Sequence, residues 1–198
     1  QKIRLRHPKS ISRESLLLAH DSNYVDGFLS GQLSEKEMRR IGLTPWTPQM
    51  IERTLRLTGG AVEATIHAVN YGGITGNMAG GTHHAHRDYG SGYCIFNDLA
   101  ISALYAIERL GVQRVAILDL DVHQGDGTAT ILSGEENIRT ISVHCESNFP
   151  FRKSVSDFDL PVQPLAGDED YLKIVRDSLE ICLDFKPDLV LYQAGVDG

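Results

Sequence analysis

Val115-Ala116-Ile117-Leu118 is an unbroken apolar run that empties into Asp119-Leu120-Asp121-Val122-His123-Gln124-Gly125-Asp126-Gly127. Arg114 to Asp119, with β-branched residues and no strict alternation, reads as a strand buried on both faces. Such a strand belongs in the middle of a mainly parallel sheet and needs helices on both sides. A polar run at its carboxyl end is where an open α/β sheet places its ligands.

The rest of the chain fits that frame. Residues 13–30 read as a helix containing Leu16, Leu17 and Leu18 and stopped by Gly31. Ser34-Glu35-Lys36-Glu37 has the form of a capping box. Thr47-Pro48 sets a cap before a first-turn proline, so a helix is expected to about Val69, loosened at Gly59-Gly60. Ile74 to Ala79 is expected to be a strand or a buried extended segment. Helices are expected over Asp98–Leu110 with Gly111 as stop, over Thr128–Leu132, and over Asp168–Phe185 with Asp168 as cap. Strands are expected over Ile138–His144 and Leu189–Gln193. Glu146 to Gly167, with three prolines, reads as the one long loop. The pattern predicts an α/β fold of three layers, αβα.

Three separate stretches deliver polar side chains to one edge of such a sheet. Asp119, Asp121 and His123 follow the first strand, Asp197 follows the last, and His83 and His84 follow the segment 74–79. Asp121 and His123, two apart in extended chain, point the same way. With Asp197 they make three ligands and leave a position for water, as catalytic zinc requires; iron also takes nitrogen/oxygen sites. Asp119 and Asp126 remain as carboxylates, one for each imidazole of the pair His83-His84, which gives a general base and a general acid. His86 reads as a solvated loop residue. Gly92 and Tyr93 are either a turn with a core aromatic or the lining of an apolar channel. Phe149-Pro150-Phe151 is either core or the far wall of that channel. Asp98 reads as a helix cap, and Cys94 as a small buried residue.

The chain's 198 residues suit one domain, 1–198, with a sizeable core. A formal charge of −7 argues against direct nucleic-acid binding. Three cysteines with no Cys-x-x-Cys suggest a reduced, cytoplasmic protein without disulfides, nuclear or cytoplasmic in a eukaryote. No apolar run approaches the ~20 residues of a membrane span, so no membrane partner is expected. Gln1 is not an initiator methionine, and the natural N-terminus is expected upstream.

Gly80-Gly81-Thr82-His83-His84, Gly92 to Asp98, Asp119 to Gly127, Thr140 to His144 and Gln193-Ala194-Gly195-Val196-Asp197 together resemble the histone deacetylase superfamily. They stand in that family's order and spacing from about residue 75 onward; residues 10–74 are more loosely similar, most like bacterial and class IV members. The resemblance implies the arginase–deacetylase fold, here incomplete at both ends. It implies zinc on Asp121, His123 and Asp197, an acid/base pair His83 and His84 oriented by Asp119 and Asp126, and an acyl-lysine stem beside Gly92, Tyr93 and Phe149. It also suggests a structural potassium ion on backbone oxygens of Asp119, Asp121, His123 and Val143 with the Ser142 hydroxyl. Expected substrates are acylated lysine, acylated polyamine or another small amine, and an oligomer is compatible. The family's transition-state tyrosine falls after the last zinc ligand, so this chain, ending at Gly198, reads as a fragment of a larger catalytic domain. A rim aspartate of some members has its nearest counterpart around Trp46, with no carboxylate.

Two other readings compete. An arginase-like dimanganese ureohydrolase resembles Asp-x-His-x-Asp, but two residues after His123 stands Gly125. A non-catalytic acyl-lysine-binding or scaffold homologue keeps the same ligands without turnover.

Overall fold

The computed structural model describes residues 3–195 and Asp197. Four parallel strands, β1 (Val115–Asp119), β2 (Ile138–Cys145), β3 (Phe158–Val162) and β4 (Leu189–Gln193), lie in the order β3-β2-β1-β4. β1 is buried at every position. Val115 and Ile117 enter the larger core with Ala100, Ile101 and Leu104 of helix Asp98–Leu110, while Ala116 and Leu118 enter a second core with Ile141 and Cys182. That division on alternate residues makes three layers out of one apolar run. β4 stands at one edge, with Val190 and Tyr192 exposed.

The helices are α1 (Arg13–Leu16), α2 (Ser22–Leu29), α3 (Glu35–Ile41), α4 (Pro48–Tyr71), α5 (Asp98–Leu110), α6 (Asp126–Ile131) and α7 (Asp168–Asp184). The capping box forms as expected: the Glu37 amide donates to Ser34 Oγ and the Ser34 amide to Glu37 Oε2. α4 runs through Gly59-Gly60 without a break, and the Lys9 carbonyl passes where a Gly59 side chain would stand, which requires glycine there. No helix among the described residues is long and apolar enough to cross a membrane.

Four expectations are corrected. The helix expected over 13–30 is two helices, parted at 17–21 so that His20 turns inward: its ring meets the His86 carbonyl at 2.9 Å and accepts from the Asn97 amide at 2.9 Å. Residues 74–79 form no strand. Ile74 and Met78 are exposed, and the segment is held along α4 by Thr75 Oγ1 on the Ala64 carbonyl and Asn77 Nδ2 on the Leu57 carbonyl. The long loop contains β3, whose pairing with β2 supplies what its half-exposed side chains do not signal. The cap of α7 is Gly167, and Asp168 occupies the first turn instead, where its charge suits the helix dipole.

Candidate active site

The site lies at the carboxyl ends of β1 and β4. The register sets Asp119 level with Ser142 on one side and Gln193 on the other. Past β1 the Leu120 amide still donates to the Gln193 carbonyl and the Cys145 amide to the Val122 carbonyl, while the chain also folds on its own side chains: the Asp121 amide donates to Asp119 Oδ1 at 3.1 Å and the His123 amide to Asp121 Oδ1 at 2.9 Å. These short bonds keep the loop tight enough for α6 to begin at Asp126.

The histidine loop is anchored from below by α5. Asn97 caps that helix by accepting from the Ala100 amide, and its Nδ2 donates to the His83 and Ala85 carbonyls at 3.2 and 3.1 Å. Asp98, expected to be the cap, accepts instead from the Gly81 and Thr82 amides at 2.9 Å each. Both residues thus hold the loop that carries the histidines, Asn97 through its carbonyls and Asp98 through its amides, and Asn97 also caps the start of the helix.

Two imidazole–carboxylate pairs result. His83 Nδ1 lies 2.6 Å from Asp119 Oδ2, and His84 Nδ1 lies 2.7 Å from Asp126 Oδ1. The ring centroids are 4.1 Å apart. His83 is buried, and burial opposes its charge; the attraction and hydrogen bond of Asp119, with Asp121 and Asp126 behind, outweigh this and hold it up at about 9. For His84 burial prevails: its pKa is lowered, against the Asp126 hydrogen bond, and the charge of His83 lowers it further. Neighbouring imidazoles are thus driven apart in basicity, the condition for separate acid and base roles.

Asp121, His123 and Asp197 offer one ligand atom each, all within 4.8 Å of one another. His123 Nδ1 stands 3.0 Å from Asp121 Oδ1 and 3.2 Å from Asp197 Oδ2. Ligand arms of about 2.0–2.1 Å in a tetrahedron set donor atoms roughly 3.3 Å apart, so the donor set fits one small transition ion. Gly125 argues against a second. A Cβ there would lie 2.6 Å from Asp119 Oδ2 and 3.1 Å from His83 Nδ1. An aspartate at that position would split the first imidazole–carboxylate pair.

Of the residues expected along a substrate stem, Gly92 and Phe149 come against the histidines. A Cβ on Gly92 would lie 2.7 Å from the His84 ring. Phe149 meets His84 edge-on, centroids 4.8 Å apart, and His123 at 6.2 Å. Tyr93, at φ 64° and 71% exposed, stands at the rim beside Gly42. Phe151 is exposed and not part of the core, edge-on to Phe149 with centroids 6.4 Å apart. The Ser142 hydroxyl, expected to face a potassium ion, lies 3.0 Å from His144 Nδ1; Val143 is buried beside it on β2. Cys94 is buried, which pushes its thiol up to about 12 and leaves it inert.

Sequence reasoning missed two residues. His86, expected in solvent, is buried, with Nε2 3.1 Å from Asp126 Oδ2. Its place two residues after His84 was the available signal. Gln124, fully buried, donates to the Ser154 carbonyl and Asp159 Oδ1 and accepts from the Ser154 amide, tying the long loop to the loop that carries Asp121 and His123. Nothing in its spacing marks it.

The model of the histone deacetylase domain matches residues 1–198. An uncharacterized protein of Picosynechococcus sp. is 47% identical over 191 residues, covering 96% of this chain and 63% of that protein. Histone deacetylase 2 of Arabidopsis thaliana is 29% identical, with 96% of this chain and 51% of that protein covered. The acetoin utilization protein AcuC of Staphylococcus aureus is also 29% identical, at 96% and 54%. An HDAC homolog from Aquifex aeolicus superposes with a TM-score of 0.78 at 24% identity, over 93% of this chain and 55% of that one. An HDAC homolog complexed with SAHA gives 0.76 at 25%, over the same shares. The chain therefore spans between half and two thirds of these proteins' lengths.

Proposed function

Because the chain belongs to the histone deacetylase domain family, we propose that it carries the metal ligands and acid–base pair of an amidohydrolase that removes an acetyl or other acyl group from a lysine-like or polyamine amine. The observation that carries this reading is the juxtaposition of two imidazole–carboxylate pairs with the Asp121–His123–Asp197 cluster.

Asp121, His123 and Asp197 would hold a divalent ion, zinc or iron(II) by the nitrogen/oxygen donor set, which when bound would supply Lewis acidity for amide hydrolysis. The chain's own residues do the rest. Asp126 takes the Nδ1 proton of His84 into a hydrogen bond, which leaves Nε2 as the ring's basic atom and suits it to accept a proton from the attacking water. Asp119 holds His83 protonated, ready to give a proton to the departing amine. Gly92 admits the chain against the His84 ring and Phe149 covers its edge, so that an extended alkyl stem between them is shielded from water.

Elemental analysis of the full-length protein is expected to find about one transition metal per chain, together with amide hydrolysis on acetyl-lysine peptides or acetylpolyamines. Two equivalents of manganese would restore the ureohydrolase reading, which Gly125 disfavours. One metal with binding but no turnover of any acylated amine would leave a recognition module.

A further inference from the structure

His86 lies outside both pairs yet closes on one of them. Its Nε2 donates to Asp126 Oδ2, the oxygen that His84 does not use. Its Nδ1 meets the Thr130 hydroxyl at 2.8 Å, one turn further along α6. Its ring stacks on Tyr89, centroids 4.4 Å apart and planes inclined by 20°, and the Arg40 guanidinium covers the Tyr89 ring at 3.9 Å. Both ring nitrogens and one face of His86 are thus fixed.

The terminal torsion of an aspartate is broad, so one donor on one oxygen leaves the carboxylate plane free to rock. A second donor on the other oxygen removes that freedom. We propose that His86 is a positioning residue: by holding Asp126 Oδ2 it fixes the carboxylate plane, and through it the tilt and tautomer of His84. The kinetic consequence rests on the deacetylase reading above; the structural one does not. The charge balance agrees. Burial would raise Asp126, yet the hydrogen bonds from His84 and His86 hold it down at about 2. A role in packing alone would be served equally by phenylalanine, which keeps the stack on Tyr89 and loses the donor.

Three forms of the full-length protein separate these roles: the wild type, His86→Phe and His86→Gln, whose amide can replace the Nε2 donor. For His86→Phe, kcat on an acetyl-lysine peptide should fall roughly tenfold with KM unchanged, the scale on which orienting partners act. His86→Gln should return to within about threefold of wild type, as restoring one charge-assisted hydrogen bond requires. The downfield proton resonance of the His84 Nδ1–H, observed by NMR, should be displaced in His86→Phe and stay in place in His86→Gln. Wild-type kcat in His86→Phe, an unrestored loss in His86→Gln, or a resonance indifferent to both changes would overturn the proposal. If the wild type hydrolyses no acylated amine, the deacetylase reading fails, and the resonance alone still decides whether His86 positions His84.

Discussion

His84→Ala in the full-length protein is expected to lower kcat for amide hydrolysis by about 10²–10⁴, the usual cost of deleting a general base. His84 is the ring of the pair that touches the proposed substrate wall, with Phe149 at a steep angle to it and Gly92 packed close against it. His83 lies deeper, bound to Asp119. The substitution should leave the fold intact, because His86 still donates to Asp126 and α6 still starts at that residue. Metal content should stay at one per chain, since Asp121, His123 and Asp197 are untouched. Turnover, metal stoichiometry and melting temperature measured on the same preparation separate these effects. Near-normal turnover would remove His84 from the proton transfer.

What could be seen in the sequence follows from what leaves a periodic or spaced trace. β1 is legible because burial on both faces demands an unbroken apolar run. The extent of α5 is legible because Gly111 marks its end chemically, although the cap falls on Asn97 rather than on Asp98. Asp121 and His123 are legible as neighbours because they stand two apart at a strand's end, although the chain there is a bend, with the His123 amide turned back on Asp121, rather than an extended segment. β3 left no such trace: Phe158, Asp159 and Pro161 are exposed, and its existence depends on hydrogen bonds to β2 that no local pattern encodes. The break after α1 was hidden for a similar reason, since three leucines favour a helix while buried partners 66 and 77 residues away on the chain draw His20 out of it. His86 was misjudged because a histidine in a glycine-bounded loop looks solvated until a distant carboxylate is found with an oxygen to spare.

His20 makes one part of this fold's acid stability depend on a buried ring. The ring is 2% exposed, packed against Tyr24 and Phe96, and makes two bonds that require opposite roles of its nitrogens. Nδ1–H donates to the His86 carbonyl, while unprotonated Nε2 accepts from the Asn97 amide, so only the neutral ring satisfies both. Burial accordingly lowers its pKa from 6.5 to about 4. The sign follows from proton counting: between these values the unfolded chain holds a proton that the folded one refuses, so stability falls as pH falls. The contribution is complete above pH 6.5 and declines toward pH 4, a total of roughly 3 kcal/mol at 1.36 kcal/mol per unit. His20→Phe fills the space but leaves the His86 carbonyl and the Asn97 amide without that partner. At pH 7.5 it should cost on the order of 1–3 kcal/mol per orphaned group. The variant no longer carries the titration, so the gap between the two proteins should narrow by roughly 2–3 kcal/mol when urea denaturation is repeated at pH 4.5. Other titrating groups are common to both proteins and cancel in the difference. A gap that stays constant from pH 7.5 to 4.5 would show that His20 takes up its proton within the folded state at little cost. The Asn97 cap, which also holds the carbonyl of His83, would then not depend on a neutral ring beneath it.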